Sequence, residues 1–218
     1  MRPPRAPRKR PRRPEKASDA ADQRVRCFVA LVPPQGLRSA VAGWSGRAFS
    51  SVDGARAVRS DSLHVTFAFL GEIDEERAEV AGELVRSVEP RRVRMRLGSE
   101  IRGLPRKRPR VLALDEVGGE VGGLQADVAV SLAEVGVLGP ERRPSRRPFW
   151  SHMTVARLKR GALGGRSVAS FISTVAPPDG EVIATHDAAA LTLFRSELGR
   201  GPATYTALAT VELTGGGG

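Results

Sequence analysis

The chain has 218 residues, 40% of them apolar and 27% charged, with a formal charge of +11. That length supports one ordinary domain or two closely joined lobes, and a single cysteine, Cys27, excludes an internal disulfide framework. No run approaches the roughly 20 apolar residues of a membrane span, so a soluble, cytoplasmic chain with no membrane partner is expected.

Residues 1 to 16 carry eight Lys or Arg against Glu15, which places +7 of the charge in this short stretch. Residues 1–23, rich in Pro and Arg and lacking an apolar period, cannot bury enough surface to offset the entropy of ordering. They are expected to form a disordered basic tail. The apolar run that follows is short and ends at Pro33 and Pro34, which argues against a signal peptide.

The β-branched and aromatic content of residues 25 to 32 predicts a central strand, in which Cys27 is a small buried hydrophobe. Leu37, Val41 and Trp44 recur at helical spacing and predict a helix from Pro34 to Phe49 with Trp44 as a core anchor. Residues 54 to 61 read as a loop. They feed Ser62-Leu63-His64-Val65-Thr66-Phe67-Ala68-Phe69-Leu70-Gly71, an alternating stretch that predicts a half-buried strand. Alternation sets His64 and Thr66 on one face, with Leu63, Val65, Phe67 and Phe69 on the core face.

Asp74 is the expected N-cap of a helix to Val88, with Glu75 and Glu76 in its first turn and Val80, Leu84 and Val88 as its buried stripe. Residues 91 to 104 alternate basic and apolar and predict a strand with one wet face. Arg102, Arg106, Lys107, Arg108 and Arg110 continue the charge into a Pro-containing loop. Two readings stay open there: a solvated face, or a track for RNA phosphates.

A strand from Val111, a helix from Val121 to Val135 and a Pro/Arg loop from Gly139 to Pro148 come next. The loop delivers Ser151-His152-Met153-Thr154-Val155-Ala156-Arg157-Leu158. The remainder predicts a helix over 166–175, a strand over 181–185, and a hairpin of strands 189–196 and 203–213 with Gly at its turn. His186 lies in a turn with a solvent role. Residues 214–218 are a flexible glycine tail, so the folded part is expected to span 24–213.

Two of only three histidines thus sit in matching His, apolar, Thr, apolar contexts 88 positions apart. That separation is too long for a solenoid unit of about 20–50 residues and suits a duplicated half-domain. The expected fold is α+β: two pseudo-symmetric lobes, each an antiparallel sheet with helices, around a central cleft to which each lobe brings one His and one Thr.

The paired motifs resemble those of the two-histidine phosphoesterase superfamily. Their flanks are similar to its LigT-like branch of RNA 2′,3′-cyclic phosphodiesterases, the 2′-5′ RNA ligase family. The matching flanks are Arg26 to Leu31, Phe69 to Glu72, Arg147 to Phe149, Ala156-Arg157, and Phe194 to Tyr205; Trp150 departs from the pattern.

Two imidazoles facing each other suit opposite proton jobs, and paired Thr hydroxyls can donate to non-bridging phosphate oxygens. The resemblance implies hydrolysis of RNA 2′,3′-cyclic phosphate ends to 2′-phosphomonoesters, with His64 as proton donor to the 3′ oxygen and His152 as proton acceptor from water. Thr66 and Thr154 would bind the phosphate, Phe69 would stack on a base, and Arg157 would hold phosphate. Alternation alone points Phe69 and Arg157 away from the histidines, so a bent or bulged strand end is required.

The alternatives are a reversible 2′-5′ RNA ligase, a phosphodiesterase of small cyclic nucleotides, or a non-enzymatic RNA-binding module. The sequence contains no His-rich or Cys-rich cluster at ligand spacing, so a monomeric, metal-independent hydrolase without cofactors is expected, with RNA or a related nucleotide as its partner.

Overall fold

The computed structural model describes residues 24–106, 108–139, 149–199 and 201–213. The expected basic tail 1–23, the glycine tail 214–218, Lys107 and all but Gly139 of the Pro/Arg loop, including Arg147, lie outside the described residues.

In chain order the elements are β1 (Val25–Val32), α1 (Gln35–Ala48), β2 (Ala55–Ala57), a 3₁₀ turn (Ser60–Ser62), β3 (Val65–Ile73), α2 (Glu75–Ser87), β4 (Arg94–Leu104), β5 (Val111–Glu116), α3 (Glu120–Glu134), β6 (His152–Leu158), α4 (Val168–Ile172), α5 (Gly180–Ile183), β7 (Thr185–Asp187), β8 (Ala190–Glu197) and β9 (Thr204–Glu212). The strands pair antiparallel in the order β7-β4-β5-β6-β3-β1-β8-β9, with β2 beside β6. Outward from the central pair β3 and β6, the halves mirror each other: β1, β8, β9 on one side and β5, β4, β7 on the other. The two expected lobes are thus the halves of one curled sheet. The first half is built from both ends of the described chain and the second from its middle.

Helices cover the sheet because apolar faces need a partner. Leu37, Val41 and Trp44 of α1 are buried, and the Trp44 indole N–H donates to the Ala176 carbonyl at 3.1 Å. Losing that side chain should cost about 3–5 kcal/mol. The Asp74 carboxylate caps α2 by accepting from the Arg77 N–H at 2.8 Å, as its position predicts.

The buried stripe of α2 differs from the expected one. It is Ala78, Ala81, Gly82 and Val85, while Val80, Leu84 and Val88 are only half-buried. The helix turns its small residues to β9 so that the backbones approach closely: a Cβ on Gly82 would lie 3.4 Å from that of Ala209.

Three further expectations are corrected. The loop before the first motif contains the short strand β2, recruited by pairing with β6. Residues 180–183 form a helical turn rather than a strand, because one turn carries Val182 fully into the core and that burial outweighs β-branched propensity. His186 lies in the edge strand β7, not a turn, and its Nε2 meets the Glu181 carbonyl at 2.9 Å. Cys27 is buried, as the strand pattern predicts. Among the described residues no helix is long and apolar enough to cross a membrane.

Candidate active site

The site is built where the two halves of the sheet meet. Val65 and Met153 are the paired residues of β3 and β6, and both are fully buried. Carrying that register one residue each way sets His64 across from Thr154 and Thr66 across from His152. All four share the face opposite Val65 and Met153, and all four are half-buried. Diagonal neighbours in such a pair lie roughly 7–8 Å apart, which leaves room for one phosphate between the imidazoles.

Both rings are anchored alike. His64 Nδ1 lies 2.9 Å from the Ser62 carbonyl and His152 Nδ1 lies 2.9 Å from the Trp150 carbonyl. A carbonyl only accepts, so each neutral ring carries its proton on Nδ1 and keeps Nε2 as the basic nitrogen. Neither Thr hydroxyl is engaged by another described side chain.

The bend that the sequence requires is present in both copies. In the pairing with β1, Ala30 faces Thr66 and Val29 faces Ala68, so Phe67 is an extra residue in β3. In the pairing with β5, Ala113 faces Thr154 and Leu112 faces Ala156, so Val155 is the extra residue in β6. Each bulge interrupts the alternation. From Val65 to Leu70 and from Met153 to Leu158 the burial sequence is the same, with Phe69 and Arg157 the exposed members.

Phe69, placed on the core face by alternation, is therefore 57% exposed. The bulged carbonyls find donors outside the ladder: Gln125 Nε2 of α3 reaches the Phe67 oxygen at 3.1 Å, and the Val58 N–H reaches that of Val155 at 2.9 Å.

The two histidines have different walls. His64 lies against Phe28, ring centroids 4.9 Å apart, and edge-on to Tyr205 at 5.4 Å, with Phe194 at 6.3 Å. Loss of water around this aromatic nest pushes its pKa down to about 4; the Ser62 carbonyl opposes the shift, and the nearby charges of Arg157 and His152 add to it. His152 instead stacks on Trp150, centroids 4.0 Å apart and 13° from parallel. The Trp150 indole N–H donates to Asp115 Oδ1 at 3.0 Å, and Arg102 holds Asp115 Oδ2 at 2.8 Å.

Phe28, Tyr205 and Asp115 received no role from the sequence. Phe28 and Tyr205 fall within the flanks that carry the family resemblance but were assigned no role, and Asp115 acquires its place only through the register that pairs it with His152. Trp150 was visible as a departure. Among the described residues no group of three or more His, Cys, Asp or Glu side chains is gathered to hold a metal ion.

The expected cationic track divides. Arg92, Arg94 and Arg102 pair with Asp187, Glu120 and Asp115, whereas Arg108 and Arg110 have no carboxylate partner among the described residues.

Known proteins share this architecture. A family model described as LigT like Phosphoesterase matches residues 32–112. A protein of Aeropyrum pernix named RNA 2′,3′-cyclic phosphodiesterase is 27% identical over 168 residues, which cover 74% of this chain and 88% of that protein. The crystal structure of E. coli LigT in apo form superposes with a TM-score of 0.67 at 25% identity, covering 88% of this chain and 99% of that one. A Thermus thermophilus crystal structure gives a TM-score of 0.66 at 27% identity, covering 87% and 98%. Fold, paired motifs and relatives agree in what the chain is similar to: the LigT-like phosphoesterases.

Proposed function

We propose that this chain is a phosphodiesterase that opens RNA 2′,3′-cyclic phosphate ends to 2′-phosphomonoesters, with His64 and His152 as its acid and base. The observation that carries this reading is the duplicated bulged strand, which sets two identically anchored imidazoles and two Thr hydroxyls on one face at the contact of β3 and β6. The relative's name, RNA 2′,3′-cyclic phosphodiesterase, supports the class of reaction.

In the reaction, His152 Nε2 takes a proton from water as the water oxygen attacks phosphorus. The bond from phosphorus to the 3′ oxygen breaks, and that oxygen receives a proton from His64 Nε2. Thr66 and Thr154 donate to the non-bridging oxygens, where charge is held through the transition state. Arg157 adds a cation whose field already reaches His64. Phe69, exposed beside Phe28 with ring centroids 6.0 Å apart, offers its face to a base. His64 is neutral at pH 7, so it must take up a proton from solvent as the anionic substrate binds.

The test is an oligonucleotide ending in 2′,3′-cyclic phosphate, incubated with excess EDTA, with and without a 5′-hydroxyl RNA, and the products identified. A 2′-phosphomonoester is expected as the main product. A joined 2′-5′ RNA as the main product would assign ligation instead, and activity abolished by EDTA and restored by a divalent metal would overturn the mechanism. His64→Ala and His152→Ala should each lower kcat by at least about 10²-fold, and His186→Ala should do little.

A further inference from the structure

Many arginines on this surface are neutralised by a neighbour: Arg47, Arg59, Arg77, Arg86, Arg91, Arg92, Arg94, Arg102 and Arg195 each pair with a carboxylate. Four others gather beyond the C-terminal end of β6. A cavity of about 610 Å³ there is lined by Arg108, Arg110, Arg160 and Arg166 together with Pro105 and Gly161, among others, and has no acidic residue in its lining. None of the four arginines pairs with a carboxylate among the described residues.

The cavity is built rather than incidental. Arg110 is tied at both ends, its N–H to the Leu104 carbonyl at 2.6 Å and its Nε to the Leu158 carbonyl at 3.1 Å. Arg166 Nε donates to the Leu163 carbonyl at 3.4 Å, and its guanidinium lies 5.6 Å from the centre of the Phe171 ring. Gly161, Gly164 and Gly165 have φ of 82°, 55° and 83°, left-handed values that glycine adopts without penalty. They let the loop after β6 bury Leu163 while leaving Arg160 and Arg166 exposed. In both tied arginines Nε is used on a carbonyl, which leaves the terminal nitrogens for a ligand.

The cavity continues the candidate active site along β6. Arg160 follows Arg157 by three residues, in the turn that leaves β6, and Val111, next to Arg110, pairs with Arg157. Arg56 of β2 stands directly opposite Arg157, a juxtaposition of like charges that is unfavourable until an anion lies between them.

We propose that this four-arginine cavity is a second subsite, which holds backbone phosphates of an RNA chain whose cyclic end occupies the His64 and His152 site. The proposal rests on the phosphodiesterase reading. It makes the chain selective for oligonucleotides over mononucleotides. Planar guanidinium forks suit phosphate, and continuity with Arg157 favours a nucleic-acid chain over an acidic peptide.

The experiment compares the unaltered chain with the double variant Arg108→Ser/Arg160→Ser on a tetranucleotide ending in 2′,3′-cyclic phosphate and on a 2′,3′-cyclic mononucleotide. Expected is a loss of about tenfold in kcat/KM on the tetranucleotide, in the range of two charge-assisted hydrogen bonds at an exposed site, with the mononucleotide unaffected. Equal loss on both substrates, or loss on neither, would overturn the subsite.

A binding arm uses a fluorescent oligonucleotide ending in a 2′-phosphate and needs no turnover. Its log–log salt slope should become shallower by about 1.4 in the double variant, about 0.7 for each phosphate that is no longer neutralised. That shift with no turnover of either substrate would uphold the subsite while removing the phosphodiesterase reading. An unchanged slope, or a glutamate-rich peptide that competes as well as unlabelled oligonucleotide, would refute the subsite.

Discussion

Anion binding at the cleft should drive a proton onto His64. In the free site its pKa is about 4, so at pH 7 only about one molecule in a thousand carries the imidazolium. To serve as a proton donor near neutrality the ring must gain about three pK units, or about 4 kcal/mol. A single negative charge at about 4 Å supplies about 4 kcal/mol at an effective dielectric of about 20. One bound phosphodiester charge is therefore of the right size, and screening by the solvent still touching the ring removes part of it. The assay is a pH titration of the His64 imidazole by NMR, with and without saturating sulfate, an anion that does not itself titrate near neutrality. An upward move of at least about two units is expected. A His64 pKa that stays near 4 with sulfate bound would refute the argument and hand the base role to His64.

Further outcomes follow from the same geometry. Because His64 titrates at about 4 in the folded chain and at about 6.5 unfolded, the unfolded chain holds the extra proton between those values. The fold therefore loses stability as pH falls from about 6.5 to about 4, by up to about 3 kcal/mol, and urea midpoints of a His64→Phe variant should decline less over that window; an equal decline would show that the ring is not desolvated. Phe69→Ala should weaken substrate binding by about 1–3 kcal/mol, the worth of one base stack, while leaving Tm nearly unchanged, since the ring is already exposed; normal KM would remove it from the site. Asp115→Asn loosens the partner that orients Trp150 against His152, and kcat should fall roughly tenfold, as small misplacements of a catalytic group do, with KM little altered. A matching loss in KM would instead indicate that Asp115 shapes binding.

The pairing of His64 with Thr66 and of His152 with Thr154 was legible in the sequence because a strand repeats every two residues and the motif occurs twice. For the same reason the core positions Val65 and Met153, the Trp44 anchor of α1 and the Asp74 cap of α2 could be read directly: each depends on spacing within a few residues. Tertiary structure decided what local spacing cannot express. Phe69 and Arg157 leave the core face only because bulges at Phe67 and Val155 are held by Gln125 and Val58, donors far away in sequence. The walls that make the two histidines unlike, Phe28 and Tyr205 on one side and Trp150 with Asp115 on the other, come from strands whose order no local pattern encodes. Charge follows the same division: composition shows a basic chain, but only the folded pairing separates Arg92, Arg94 and Arg102, each satisfied by a carboxylate, from the four arginines at the end of β6 that have no carboxylate partner among the described residues.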